Sequence, residues 1–288
     1  MWISGVKIGQ LLRVSFPNAL TLGNAACGFA AIVFASKAEP GEAAAVGYLA
    51  NAAWLLFAAM VFDLLDGMAA RLVGSSSEFG CQLDSLCDAI SFGVAPGFLL
   101  YAQARQWSDT AGQLASLVAV LYVLCAVVRL ARFNVSPSTP LKIPGTLGHH
   151  FTGLPSPVAA GCVACFALIG HLDLLGRWAE AGGFPEVQPW MLPGCLLAAL
   201  LMISPFPYAH LAKDIMRPGS RLRMLIPAIL AVVLAAFSPP LALAIIFWAY
   251  ALHAPLRAIF LGLRRAQRSA RNKIDRIEDS SSGWHDDQ

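Results

Sequence analysis

Apolar stretches about twenty residues long recur along this chain, and they leave few folds open. A stretch of that length in hydrocarbon must satisfy its own backbone, so it spans as an α-helix. Eight spans are expected, at about 18–37, 45–65, 82–104, 111–132, 154–172, 189–209, 222–237 and 239–260. Only 13% of the 288 residues are charged and 57% are hydrophobic, whereas soluble domains carry roughly 25% charge. The ten-residue alternating pattern of a membrane β-barrel does not occur. The expected class is all-α: a polytopic membrane helical bundle of about eight transmembrane helices.

Punctuation refines the outline. The seventh span is short, and Ser238-Pro239-Pro240 turns it into a hairpin with the eighth. Pro193, Pro205 and Pro207 are expected to distort the sixth. Residues 1–15 read as a weakly amphipathic helix on the membrane surface, with no signal-peptide cleavage pattern. The tail after Arg264 reads as a basic segment on anionic lipid, and its last ten or so residues as disordered. Four parts follow: an N-terminal segment 1–17, a membrane domain 18–210, an extra hairpin 211–262 and a tail 263–288. The seven cysteines lie mostly in apolar text and read as packing residues; Cys162 and Cys165 form a C-x-x-C with no second pair at zinc spacing.

Basic residues set the orientation. With the N-terminus in the cytoplasm, only Lys37, Arg105 and Arg177 of the 20 Lys and Arg fall in outside loops. Cytoplasmic loops carry the excess of Lys and Arg, so both termini are expected in the cytoplasm.

The same count puts Asp63, Asp66, Asp84 and Asp88 on the cytoplasmic side. Ionisable groups at membrane depth are costly unless paired, wetted or metal-bound, which makes them candidates for function. Asp63 and Asp66 are spaced i, i+3, and Asp84 and Asp88 i, i+4, so each pair shares one helix face. An antiparallel hairpin of the second and third spans brings both pairs to one boundary. Four facing carboxylates repel. Two divalent cations relieve that, and all-oxygen ligation favours Mg²⁺ or Mn²⁺. Gly67, Ala69, Ala70 and Gly80 allow close approach of a ligand, and Arg71 offers forked donors to a phosphate. This set suits group transfer at a diphosphate, with one carboxylate taking a proton from an attacking hydroxyl. A structural ion-pair cluster fits less well, because Arg71 cannot neutralise four acids. A transporter's ion pathway places its acids mid-span.

At fixed spacing, Asp63, Asp66, Gly67, Ala70, Arg71, Gly80, Asp84 and Asp88 match the signature D-x2-D-G-x2-A-R-x8-G-x3-D-x3-D. In this the chain resembles the CDP-alcohol phosphatidyltransferase family. The resemblance implies an integral-membrane enzyme with a six-helix core, so that the last two spans are additions. It implies two metals held by Asp63, Asp66, Asp84 and Asp88, with Asp88 also the base that activates the acceptor alcohol. Asp63, Gly67, Ala70, Arg71 and Gly80 would shape the CDP-lipid pocket, and Asn24 would approach the cytidine. CMP is the leaving group, and the chain is expected to pair with a second copy. No nucleic-acid partner is expected.

Further text is similar to the branch of that family that takes serine: Pro17-Asn18-Ala-Leu-Thr21-Leu-Gly-Asn24-Ala-Ala-Cys-Gly28, Ser91-Phe92-Gly93-Val94-Ala95-Pro96, Arg129-Leu-Ala-Arg132-Phe133-Asn134 and Phe151-Thr-Gly153-Leu154-Pro155-Ser156-Pro157. The resemblance implies CDP-diacylglycerol and L-serine as substrates; with the orientation above, they would meet at the cytoplasmic face of the membrane, the inner membrane if the source is bacterial. Arg129, Arg132, Asn134 and Ser156 are the candidates for serine or phosphate binding. Arg129 and Arg132 have a simpler reading, as helix-end cations snorkelling to lipid headgroups. The 136–157 loop, with Lys142, His149 and His150, reads as a cap over the acceptor. Glycerol 3-phosphate, an inositol phosphate and choline are the alternative acceptors.

Overall fold

The structure is a computed structural model, and it describes residues 8–73, 78–135, 153–171, 188–206, 208 and 238–282. Helix α1 is Ile8–Ser36, α2 Ala45–Val73 and α3 Glu78–Asp88. A π-helical turn, Ala89–Val94, joins α3 to α4, Ala95–Ala104. Then come α5 Asp109–Val135, α6 Ser156–Gly170, α7 Gln188–Ile203 and α8 Pro239–Ser282. Five stretches among the described residues are long and apolar enough to cross a membrane: Ser15–Ser36, Ala45–Leu72, Glu78–Ala104, Asp109–Asn134 and Pro239–Phe260. The apolar helices α6 and α7 are shorter. The chain is thus a polytopic helical membrane protein. The expected seventh span, 222–237, and the 136–152 part of the expected cap lie outside the described residues.

The helices outrun their expected ends. Helix α2 has 29 residues, roughly 43 Å at 1.5 Å per residue against a hydrocarbon core of about 30 Å. Asp63 and Asp66 therefore do not end it, and Gly67 to Arg71 ride on two further helical turns. On the other arm of the helical hairpin, α3 begins at Glu78 rather than 82. At the N-terminus, residues 8–14 continue into the first span as one helix. At the other end, α8 reaches Ser282, so residues 279–282, expected to be disordered, are helical. No glycine or proline interrupts the text between Gly262 and Gly283.

Small residues let the helices approach closely. Ala31 and Ala35 of α1 pack with Ala52, Ala53 and Leu56 of α2, Leu99 of α4, and Ala164 and Leu168 of α6 in one core. Helix α6 is buried along its length from Ala159 to Leu168 and forms the centre of the bundle. Ala59, Phe92 and Ala160, with Cys27 and Met60 against them, make a second, smaller cluster. Phe57 meets Phe247, and Phe166 meets Trp248, at ring separations of 5.5 and 5.7 Å.

Two irregularities position the functional end. The first is the π-helical turn. Pro96 has no N–H, so an α-helix here would leave the Phe92 carbonyl without its donor. The Tyr122 hydroxyl donates to that carbonyl at 3.2 Å. The second is Gly153, at φ +95°. Its N–H donates to the Phe206 carbonyl at 3.0 Å, and that of Leu154 to the Leu201 carbonyl at 2.9 Å. A Cβ at 153 would run into the Met202 carbonyl oxygen. This strap ties the entry to α6 onto the end of α7. By compactness the chain divides into Met1–Ala251 and Leu252–Gln288; the second unit continues α8.

Candidate active site

Five helices bring the chemistry together at one end of the first unit. One carboxylate oxygen each from Asp63 and Asp66 on α2 and from Asp84 on α3 lie within 4.8 Å of one another. Asp66 is the most enclosed, only 6% exposed. The Thr21 hydroxyl stands against the Asp66 carboxylate and also lies 3.0 Å from the Pro17 carbonyl, so its single proton serves one at a time. Asp88, one turn beyond Asp84, lies within electrostatic range of Asp63 and Asp84 and accepts a hydrogen bond from the Asn24 Nδ2 at 3.0 Å. The structure thus gathers three of the four expected metal ligands into one cluster and sets the fourth beside it.

Asp66 Oδ2 and Asp84 Oδ1 are buried with no hydrogen-bond partner. Buried, unpaired carboxylate oxygens are strongly unfavourable unless a cation or a proton meets them. Three hard oxygen donors converging on one point are the ligand chemistry of Mg²⁺ or Mn²⁺. The residues present therefore fit a divalent cation.

Facing the acids is Arg129 on α5. It is half-buried, within electrostatic range of Asp88 and Asp63, and its Nη1 donates to the Ser156 Oγ at 2.6 Å. Ser156 is fully buried at the start of α6. This arginine turns inward, toward Ser156 and the acids. Arg132, one turn on, is exposed. Asn134 is exposed too, and its Oδ1 accepts from the Ser85 hydroxyl at 3.0 Å, which ties the end of α5 to the acid-bearing helix. Of the four expected acceptor-site residues, Arg129 and Ser156 are joined to each other and Asn134 to α3.

Gly67 borders open space, with nothing within 4 Å of where a Cβ would stand. Ala70 and Gly80 are half-buried and Arg71 is exposed in the last turn of α2. Asn24 is fully enclosed. Ser85, Ser91 and Tyr122 escaped assignment from sequence. Ser91 and Tyr122, polar groups inside apolar spans, were the available signal for two of them.

The model of the CDP-alcohol phosphatidyltransferase family matches residues 14–205. Over 247 residues the chain is 31% identical to the CDP-diacylglycerol–serine O-phosphatidyltransferase of Helicobacter pylori, covering 85% of this chain and 92% of that protein. It is 30% identical to the Mycobacterium tuberculosis protein of the same name, over 83% of this chain and 76% of the other. With the archaetidylserine synthase of Methanothermobacter thermautotrophicus it shares 37% identity over 56% of this chain and 61% of that one. The family match runs from α1 through the end of α7 and takes in every acid of the cluster and the arginine opposite. The chain belongs to the CDP-alcohol phosphatidyltransferase family.

Proposed function

We propose that this membrane enzyme transfers the phosphatidyl group of CDP-diacylglycerol to the hydroxyl of L-serine, giving phosphatidylserine and CMP. The observation that carries the chemistry is the convergence of Asp63, Asp66 and Asp84 within 4.8 Å, with Asp88 beside them and Arg129 opposite. The serine-named relatives support the acceptor.

Asp63, Asp66, Asp84 and Asp88 would hold two divalent cations. When bound, Mg²⁺ or Mn²⁺ supplies neutralisation and orientation of the diphosphate. Asp88 takes the proton from the serine hydroxyl as its oxygen attacks the lipid-linked phosphorus. The bond from that phosphorus to the bridging oxygen breaks, and the electron pair leaves with CMP. Arg71 and Arg129 hold phosphate oxygens, while Gly67, Ala70 and Gly80 leave room for the nucleotide. Arg129, Arg132, Asn134 and Ser156 form the acceptor side. The catalytic domain is 18–210, followed by an additional hairpin 211–262 and a tail 263–288. The site and both termini face the cytoplasm, and the chain works as a homodimer.

The deciding experiment supplies purified protein with CDP-diacylglycerol and, separately, serine, glycerol 3-phosphate, inositol phosphate and choline. CMP release with serine is expected. Release only with another alcohol would overturn the serine assignment, and no release with any would overturn the transferase reading.

A further inference from the structure

Asn24 sits 64 residues before Asp88 in sequence, yet its Nδ2 donates to Asp88 Oδ1 at 3.0 Å. It is 0% exposed. Which amide atom faces Asp88 follows from the chemistry: a carboxylate accepts, so the N–H₂ must face it. The amide's other end, Oδ1, is buried without a partner. A leucine of the same branched shape would occupy this position without desolvating an amide. The position holds a donor for a reason other than packing.

The backbone of Asn24 is fastened to the same place. Its carbonyl accepts from the Ser91 Oγ at 2.9 Å, and Ser91 lies in the π-helical turn that begins immediately after Asp88. One turn farther along α1, Gly28 lets the helices close. A Cβ there would stand 2.7 Å from the Ser91 Cα. Helix α1 therefore grips Asp88 through its side chain and grips the turn that carries it through Ser91.

We infer that Asn24 is a positioning residue, whose amide fixes the Asp88 carboxylate in the orientation from which it takes the acceptor's proton. The inference rests on Asp88 as the base. It gives Asn24 a role through Asp88 in place of the cytidine contact that the resemblance implied.

The test compares wild type, Asn24→Ala and Ser91→Ala as purified full chains. It measures kcat and KM for CMP release, together with binding of Mn²⁺ and of CDP-diacylglycerol to the resting protein. Asn24→Ala is expected to lower kcat about a hundredfold, the scale of a small misplacement of a reacting group. Both KM values and CDP-diacylglycerol affinity should stay within about threefold, since an orienting contact does not bind substrate, while Mn²⁺ binding, in which Asp88 shares, should weaken by about tenfold. Ser91→Ala should lower kcat in the same way but less. A raised KM and weakened binding for CDP-diacylglycerol, with kcat retained, would make Asn24 a nucleotide ligand and overturn the inference. If Asn24→Ala does not fold, Ser91→Ala decides: unchanged kcat overturns it, and reduced kcat at unchanged KM supports it. Should the wild type release CMP only with another alcohol, the serine reading fails, and the same kcat ratio is read with that alcohol.

Discussion

Removing one proton acceptor at the centre of the site has a sharp expected outcome. Asp88→Asn keeps the volume of the side chain and one acceptor oxygen for the Asn24 amide but removes the charge and the basicity. CMP release should fall by about a hundred- to ten-thousandfold, the range for losing a general base, while CDP-diacylglycerol still binds. Full turnover by that variant would remove Asp88 from the role. Chelation of divalent metal by EDTA should likewise abolish release, with recovery on adding Mg²⁺ or Mn²⁺; unchanged activity in chelator would contradict the ligand role of the acid cluster. Across the site, Arg129→Lys keeps the charge but loses the planar fork that meets Ser156. A fall of about tenfold in kcat/KM is expected, since charge-assisted hydrogen bonds contribute about 1.5–3 kcal/mol each. The four acids and the arginines were legible in the sequence because their spacing is fixed along single helices. That Asn24 pairs with Asp88, and Arg129 with Ser156, was not, because those contacts join residues 64 and 27 positions apart.

Individual elements were readable to different depths. Hydropathy located α5, α6 and α7 to within about six residues and found α1 and α2 but not the start of the one or the end of the other, because an apolar run of span length has one stable solution. Their ends were read less well. Polar text such as Asp63 to Arg71 looks like a terminus, yet a helix continues through it when its backbone bonds are made internally. The π-helical turn left only Pro96 as a trace, and the strap at Gly153 only a Gly-Leu-Pro sequence. The strap supports a prediction of its own. Gly153 adopts a positive φ and lies against the Met202 carbonyl. Gly153→Ala should lower stability by about 2 kcal/mol, within the range for forcing a side chain into that region. Thermal unfolding in detergent would show it. A wild-type melting curve would mean the entry to α6 has another way to seat.

At the scale of the molecule, the acid cluster lies at one end of the first unit, and we propose from the Lys and Arg distribution that this end faces the cytoplasm. Cys81, in the first turns of α3, is exposed, whereas Cys27 is half-covered and the other five are buried. In sealed vesicles of known orientation, a membrane-impermeant maleimide should label Cys81 only from the cytoplasmic face. Labelling from the opposite face would invert the topology. The π-helical turn has a consequence on this scale too. Each residue advances an α-helix by about 100°, so one residue accommodated between Asp88 and Ala95 resets the angular phase of the acid-bearing turns against the apolar remainder of the span. Below the turn, Leu99 and Ala102 are locked into the core and cannot rotate to compensate. The aim of Asp84 and Asp88 behaves as the setting of a dial, and deleting Ile90 would turn it by one full notch while leaving every charged residue in the chain.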